Sequence, residues 1–201
     1  MKKIPTLFER EFFDDHTALT KPIVTPGMEW VLAGEGIATI KYDGACCAII
    51  GGKLYKRYDA KHGKPVPEGA IKCQAKPDPI TGHWPCWVMC DRRRPEDKWF
   101  WEACDNFLSN PDCYPATPIN GTYEAIGKHF QGNPYDMLLD ILIPHGKNVV
   151  DVERSYDGIK KYLSENYIEG LVFWKDGRPR CKIRRKDFGF EWNSQGQNSR
   201  K

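Results

Sequence analysis

Residues 36–58, GIATIKYDGACCAIIGGKLYKRY, contain the pattern that decides the fold. Two apolar-rich runs flank Gly51-Gly52, and a Gly-Gly pair in this position is typical of a two-residue hairpin loop, because its turn needs positive φ. The stretch therefore predicts a strand from Ile37 to Lys41, followed by a β-hairpin. Counting outward from the turn places Cys46 opposite Arg57.

A second hairpin signal, Asp176-Gly177, separates IEGLVFWK from RPRCKIRRK. Counting from this turn places Glu169 opposite Arg184 and Leu171 opposite Lys182, although Pro179 cannot donate to the ladder and could shift the register. Because side chains alternate between the faces of a sheet, this pairing predicts one charged face and one apolar face. The charged face contains Glu169, Lys182, Arg184 and Lys186, and the apolar face contains Val172, Trp174, Cys181 and Ile183. A carboxylate beside three cations suits a triphosphate and its metal ion.

Two further segments have helical periodicity. Residues 95–111, PEDKWFWEACDNFLSNP, begin with a proline, carry Trp99, Ala103 and Phe107 at a spacing of four, and end in Asn-Pro. A second helix is predicted from about Ser155 to Asn166, because its apolar residues fall on one face.

The composition is that of an ordinary globular protein, with 201 residues, a net charge of +3, 28% charged residues and 40% hydrophobic residues. This length predicts a single domain over residues 1–192, with a polar, flexible tail over 193–201. No apolar run approaches the roughly 20 residues that span a bilayer. Acidic residues interrupt the N-terminal segment where a secretory signal needs an apolar core. We therefore expect a cytoplasmic protein with no membrane partner, and no obligatory protein partner is evident.

The eight cysteines are expected to be free thiols, because the chain lacks the features of an exported disulfide scaffold. His83, Cys86 and Cys90 in GHWPCWVMC suggest a zinc-ligand group, but the sequence contains no CxxC pair. Buried cysteines commonly behave as small hydrophobic side chains. The sequence leaves open whether any cysteine binds metal.

Lys41-Tyr42-Asp43-Gly44 matches the KxDG signature of covalent nucleotidyltransferases, in which a lysine attacks the α-phosphate of a nucleotide and expels pyrophosphate. Alone, these residues are equally typical of a strand that ends in an Asp-Gly turn beside a solvated lysine. Further motifs of the superfamily follow in the expected order, however. They supply Arg57 in YKRYDAK, Glu124 in GTYEAIG, Glu169 in IEGLVFW, and Lys182 with Arg184 in CKIRRK.

Each charged residue suits part of that chemistry. A lysine nucleophile must lose its proton, and neighbouring cations favour the neutral amine. Arg57, Lys182 and Arg184 could provide this effect and also stabilise charge on the α-phosphate. Asp43 and Glu169 are candidate ligands of Mg²⁺, with Mn²⁺ as an alternative, because Mg²⁺ prefers oxygen ligands and keeps several waters.

Two positions are predicted to contact the nucleoside. Glu124 is suited to accept hydrogen bonds from ribose hydroxyls, although a structural salt bridge would explain it equally. The backbone of Ile40 would lie beside the base, where its carbonyl can accept from an exocyclic amine.

Over nearly its whole length the sequence resembles a family of small ATP-dependent RNA ligases found in vertebrates and viruses, which join 5′-phosphate to 3′-hydroxyl ends. The blocks GNPY and IPHG are not generic ligase motifs and make the resemblance specific. The resemblance rests on KYDGACC from Lys41, KRYDAK from Lys56, TGHWPCWV from Thr81, YEAIGKHFQGNPY from Tyr123, LIPHG from Leu142, EGLVF from Glu169 and KIRRKDFGF from Lys182.

The resemblance implies an α+β nucleotidyltransferase core of the ligase and capping-enzyme type, with two antiparallel β-sheets flanked by helices and the nucleotide between them. It implies that Lys41 becomes linked to AMP from ATP, that the adenylate passes to an RNA 5′-phosphate, and that a 3′-hydroxyl displaces AMP. Asn133 and His145 would shape the ATP site, although a histidine before glycine can also simply end a strand. No OB-fold domain is expected, because only 17 residues follow Arg184.

Two positions depart from the ligase pattern. Cys46 stands where many ligases have arginine, and Arg57 across the predicted hairpin could substitute for it. Arg184 stands where the last motif has a second lysine, which keeps the charge but not the ability to deprotonate.

RNA contacts are predicted for four basic residues. Arg92, Arg93, Arg185 and Lys186 belong to clusters that could bind phosphates. The arginine run equally suits a solvated loop before a helix.

Two alternatives remain open from the sequence. A GTP-dependent, capping-type guanylyltransferase shares the KxDG chemistry but needs an OB-fold domain. A non-catalytic RNA-end-binding module could keep the fold without turnover. The presence of Lys41, Glu124, Glu169 and Lys182 favours an enzyme.

Overall fold

The computed structural model describes residues 3–15, 17–79, 81–110 and 120–192. The strands are β1 (Phe8–Phe12), β2 (Ala18–Val24), β3 (Ile37–Lys41), β4 (Ala45–Ile50), β5 (Lys53–Ala60), β6 (Ile71–Lys72), β7 (Trp84–Met89), β8 (Gly121–Ile126), β9 (Ile141–Pro144), β10 (Val149–Val150), β11 (Gly170–Lys175) and β12 (Arg178–Arg184). The helices are α1 (Glu29–Leu32), α2 (Lys98–Ser109) and α3 (Tyr156–Glu165), with 3₁₀ turns at Pro95–Asp97 and Arg185–Phe188. This confirms the predicted α+β class, with more sheet than helix.

The chain divides into two compact units, described separately below. The terminal unit is built on Ile4–Tyr42 and Gly146–Asn193, and the central unit on Asp43–His145. Each unit has its own hydrophobic core. The predicted tail from residue 193, together with Cys113 and the Pro111 helix stop, lies outside the described residues.

The terminal unit contains a four-stranded antiparallel sheet in the order β10-β3-β11-β12, and a two-stranded ribbon of β1 and β2. One face of the sheet is apolar, and Ile159 and Leu163 of α3 belong to its core. Ser155 begins α3, because its Oγ accepts a hydrogen bond from the Gly158 N–H at 2.9 Å. The predicted helix from Ser155 to Asn166 is confirmed, with these two residues as its caps.

The central unit contains a six-stranded antiparallel sheet in the order β6-β7-β5-β4-β8-β9. Helix α2 packs on one face of it, where Ala103 and Phe107 are buried as the spacing of four predicts. The Gly51-Gly52 hairpin is also confirmed, since β4 and β5 pair in the predicted register from Cys47 opposite Lys56 to the turn.

The second hairpin corrects the predicted register. Next to the Asp176-Gly177 turn the pairs are as predicted, with Lys175 opposite Arg178 and Trp174 opposite Pro179, but a one-residue shift follows between Phe173 and Trp174. The shift adjoins Pro179, which lacks the N–H that a regular ladder requires. The predicted pairings of Glu169 with Arg184 and of Leu171 with Lys182 are therefore wrong.

The shift also changes which residues of β11 face the core. Gly170 lies opposite Arg184, and Val172 lies opposite Lys182. Leu171 and Phe173 are fully buried with Cys181 and Ile183. The prediction that Val172 and Trp174 form the apolar face is wrong, and both lie on the face that carries Lys182 and Arg184.

Among the described residues, the structure contains no helix that is both long and apolar enough to cross a membrane.

Candidate functional site

The terminal unit gathers four predicted site residues on the charged face of its four-stranded sheet. Lys41 ends β3 and lies opposite Gly170, which in turn lies opposite Arg184. Glu169 directly precedes β11 and is 9% exposed. The Lys41 Nζ is paired with the Glu169 carboxylate. The predicted nucleophile thus makes a charge-assisted hydrogen bond with a nearly buried carboxylate.

Gly170 gives this arrangement its close spacing. A Cβ added at position 170 would lie 2.1 Å from the Ile183 carbonyl oxygen, so no other residue fits without moving the backbone. Lys41 and Arg184 therefore flank a stretch of β11 that has no side chain. The glycine of the IEGLVF motif is explained by this contact between β11 and β12.

Lys182 and Arg184 carry the remaining charge on this face. Arg184 forms a bidentate ion pair with the buried Asp187 through contacts of 2.6 and 3.1 Å. Burial is the largest single effect on the pKa of Arg184 and lowers it, but the hydrogen bonds to Asp187 together with the charges of Asp187 and Glu169 raise the pKa overall. Burial, together with the cations of Lys41 and Arg184, lowers the pKa of Lys182 to about 8. Lys182 therefore loses its proton at a lower pH than an ordinary lysine does.

Thr39 and Trp174 form an apolar border beside these charges. No sequence motif indicates this border. Thr39 is 1% exposed, and its hydroxyl accepts a hydrogen bond from the Trp174 indole N–H at 2.9 Å. Ile40, the predicted base-binding position, donates its N–H to the Asn148 carbonyl at 3.0 Å. The β3 backbone at Ile40 is thus held by Asn148 on one side and by the pairing with β11 on the other.

The central unit gathers a second set of predicted residues on adjacent strands. Cys46 on β4 lies opposite Glu124 on β8, and His145 follows β9 directly. The His145 Nε2 lies 3.0 Å from the Glu124 Oε2, and its Nδ1 lies 3.0 Å from the Thr122 Oγ1. Burial, with the Glu124 carboxylate, raises the pKa of the Cys46 thiol to about 12. Arg57 on β5 donates its Nε–H to Asp59 at 2.7 Å.

The loop that carries Asp43 is fixed from within the same unit. The Asp43 N–H donates to the Tyr135 hydroxyl at 2.7 Å. A Cβ at Gly44 would lie 2.2 Å from the Ala125 carbonyl oxygen, which explains the glycine of KxDG as a close approach to β8. Tyr135 lies in a tight turn that Asn133 stabilises. The Asn133 Nδ2 donates to the Met137 carbonyl, and the Asn133 Oδ1 accepts from the Met137 N–H, both at 2.9 Å. The GNPY block therefore positions a side chain against the KxDG loop.

The predicted RNA-binding residues have different surroundings. Arg92 forms a bidentate pair with Asp105 at 2.7 and 2.9 Å, and Arg93 pairs with Asp91 at 2.8 Å. The Arg185 guanidinium donates to the carbonyls that end α3. Lys186 is exposed and lines a cleft of about 430 Å³ together with Arg10, Phe12 and Phe190 among others.

The described cysteines are all free thiols, as predicted. Within the described ranges, His83, Cys86 and Cys90 do not converge on a common point. Side chains of metal-ligating type converge at two other places, Cys46–Glu124–His145 and Glu102–His129–Asp140.

No family model matches this sequence, and no curated protein matches it either.

Proposed function

We propose that this protein is an ATP-dependent RNA ligase that works through a lysyl-AMP intermediate at Lys41. The observation that carries the proposal is the charged face of the terminal unit, where Lys41, Glu169, Lys182 and Arg184 meet on three adjacent strands. A lysine at a strand end, with a nearly buried carboxylate and two further cations, has the groups that nucleotidyl transfer needs. A solvated lysine beside an Asp-Gly turn would not require such an arrangement.

Lys41 is the nucleophile in the first step. Its Nζ, once deprotonated, attacks the α-phosphorus of ATP, the P–N bond forms, and pyrophosphate leaves. Lys182 and Arg184 stabilise the negative charge that accumulates on the phosphates. Glu169 then lies beside an amide-like nitrogen rather than an ammonium ion, and it can accept the proton that Lys41 loses or bind another cation.

RNA is the acceptor in the two later steps. A 5′-phosphate oxygen of RNA attacks the α-phosphorus of lysyl-AMP, the P–N bond breaks, and Lys41 regains its proton. A 3′-hydroxyl then attacks the RNA 5′-phosphate, and AMP leaves as the phosphodiester forms.

The donor chemistry of Glu169 fits the Mg²⁺ that such reactions use. Its oxygens are hard ligands in a nearly buried position, and a positive group, the Lys41 ammonium, already lies against them. Glu169 is the residue of the terminal unit that would hold the ion. When bound, Mg²⁺ supplies positive charge to the triphosphate.

The two sequence blocks specific to the resembling ligases also support the proposal. Tyr135 of GNPY bonds to the Asp43 backbone, and His145 of IPHG bonds to Glu124. Both blocks thus contact residues of the general nucleotidyltransferase motifs. RNA as the substrate rests on these blocks and on the resemblance.

The test is to incubate the protein with Mg²⁺ and either α-labelled ATP or α-labelled GTP, and to detect a covalent adduct after denaturation. We expect label from ATP in the native protein and in Lys175→Ala, which removes a surface lysine paired with Glu35. We expect none in Lys41→Ala. Label from GTP alone would indicate a guanylyltransferase, and no label from either nucleotide would indicate a binding module.

A second assay tests the acceptor. The adenylated protein is given a 5′-phosphorylated nick or a single strand, in matched RNA and DNA versions. Sealing of RNA in preference to DNA is expected. Sealing of DNA alone would refute the RNA assignment and leave the adenylation chemistry intact.

A further inference from the structure

Three donor atoms of different chemistry converge across three neighbouring strands of the central unit. Each of Cys46, Glu124 and His145 contributes one ligand atom, and these atoms all lie within 4.8 Å of one another. Thiolate sulfur, imidazole nitrogen and carboxylate oxygen form the mixed ligand set that Zn²⁺ takes, whereas Mg²⁺ avoids sulfur and nitrogen.

The sheet fixes these three residues in place. Cys46 and Glu124 are directly opposite in the β4–β8 pair. The His145 N–H donates to the Thr122 carbonyl at 3.1 Å, which continues the β8–β9 pairing to His145. Two of the three ligands therefore lie on paired strands of one sheet, and the third directly follows the next strand, so no long loop has to close around an ion.

A neighbouring hydroxyl orients the imidazole. The His145 Nδ1 lies 3.0 Å from the Thr122 Oγ1, which leaves Nε2 directed towards Glu124. A ligating histidine that is held at its other nitrogen by a second group is the usual arrangement in protein metal sites. The side chains of His145 and Glu124 are 18% and 13% exposed, so a water molecule can reach the group as a fourth ligand.

We propose that Cys46, Glu124 and His145 form a binding site for one Zn²⁺ ion, distinct in ligand chemistry from the proposed Mg²⁺ ligand Glu169. Zinc binds to the Cys46 sulfur, the His145 Nε2 and a Glu124 oxygen, and the thiol proton leaves to solvent. Formation of this site requires no nucleotide and no catalytic step at Lys41.

The test uses Co²⁺ as a spectroscopic substitute for Zn²⁺ on the full chain after treatment with a chelator. One equivalent of Co²⁺ should produce the near-ultraviolet charge-transfer band of a thiolate–cobalt bond, and Zn²⁺ but not excess Mg²⁺ should remove it. The band should be lost in Cys46→Ala. It should remain in the matched control Cys73→Ala, which deletes a partly exposed thiol outside the group.

Two further variants test the geometry without removing the sulfur. Glu124→Gln should weaken metal binding at least about tenfold and keep the band. Thr122→Val should weaken metal binding by about 10- to 100-fold, because the Thr122 hydroxyl no longer orients His145. Lys41→Ala should bind Co²⁺ like the native protein, which separates this proposal from the ligase function. Absence of the band at one equivalent, its persistence in Cys46→Ala, or unchanged affinity in both Glu124→Gln and Thr122→Val would overturn the proposal.

Discussion

We expect the affinity of the protein for an ATP analogue to fall about tenfold between about pH 7 and pH 9, with Lys182 as the cause. The pKa of Lys182 is lowered to about 8 by burial and by the neighbouring cations of Lys41 and Arg184. The charged form of Lys182 is the one that binds phosphate. About ten of every eleven molecules carry that charge at pH 7, and about one of eleven carries it at pH 9.

The sign of the effect follows from these populations. Triphosphate bound beside Lys182 keeps it protonated, so binding above pH 8 must take up a proton from solvent. The free energy of proton uptake subtracts from the binding free energy, which is the origin of the tenfold loss. At about pH 8, where half of the free molecules are charged, binding should take up about half a proton per molecule.

The assay is calorimetric titration with an ATP analogue whose α- and β-phosphates are joined by a methylene group, which blocks transfer to Lys41. Titrations at one pH in two buffers of different ionisation enthalpy give the number of protons taken up. Lys182→Arg stays charged throughout this range and should show neither the uptake nor the loss of affinity. Lys182→Met should bind weakly at every pH.

Lys41→Ala provides a further check on the cause. Removal of the Lys41 charge takes away one of the groups that depress the pKa of Lys182 and frees Glu169 to stabilise its ammonium form. The midpoint of the pH dependence should therefore move to higher pH. Equal affinity of the native protein at pH 7 and pH 9, or an equal loss in Lys182→Arg, would refute the reasoning.

Four further variants test individual side chains. Lys56→Met removes the lysine that lies 2.5 Å from the Asp97 carboxylate, which is 0% exposed. The free energy of unfolding measured in urea titrations should fall by about 3 to 5 kcal/mol. Arg92→Ala breaks an exposed ion pair and should lower the free energy of unfolding by about 1 kcal/mol or less in the same titrations. A larger loss of stability in Arg92→Ala than in Lys56→Met would contradict this. Gly170→Ala places a methyl group 2.1 Å from the Ile183 carbonyl oxygen and should lower the melting temperature and slow adenylation together. If neither quantity changes, β11 and β12 can move apart without cost. Lys186→Ala should reduce the slope of log affinity for RNA against log salt by about 1, whereas Arg92→Ala should leave that slope unchanged.

Local signals in the sequence predicted two hairpin turns and helices α2 and α3 correctly, because each depends on a few adjacent residues. Gly51-Gly52 and Asp176-Gly177 both form hairpins, and Ser155 caps the helix predicted there. The register beyond Pro179 could not be obtained by counting. A proline reveals that the ladder is interrupted, but where the strand resumes depends on how Leu171 and Phe173 pack in the core.

Contacts across the sheet could not be predicted from the motifs. Glu169 was identified as a site residue, yet its pairing with Lys41 depends on β11 lying beside β3, and the two residues are 128 positions apart. The contact of Arg185 could not be predicted either. Its guanidinium donates to a carbonyl at the end of α3, although the sequence shows only another cation in a basic run. Arg92 is different, because Asp105 on the adjacent predicted helix offered a partner within 13 residues.

The pairing of Lys41 with Glu169 imposes an order on the proposed chemistry. A lysine attacks through the lone pair of its amine, and in this structure the Lys41 Nζ is directed at the nearly buried Glu169 carboxylate. In the proposed reaction, the Lys41 Nζ must therefore leave this ion pair to reach the α-phosphorus, and another positive group must take its place beside Glu169. Lys182 and Arg184 lie on the same face, so the Lys41–Glu169 pair is the contact that the substrate has to displace. The proposed reaction accordingly requires the charged substrate and its counter-ion to reach the face together, so that the Lys41–Glu169 pair can separate.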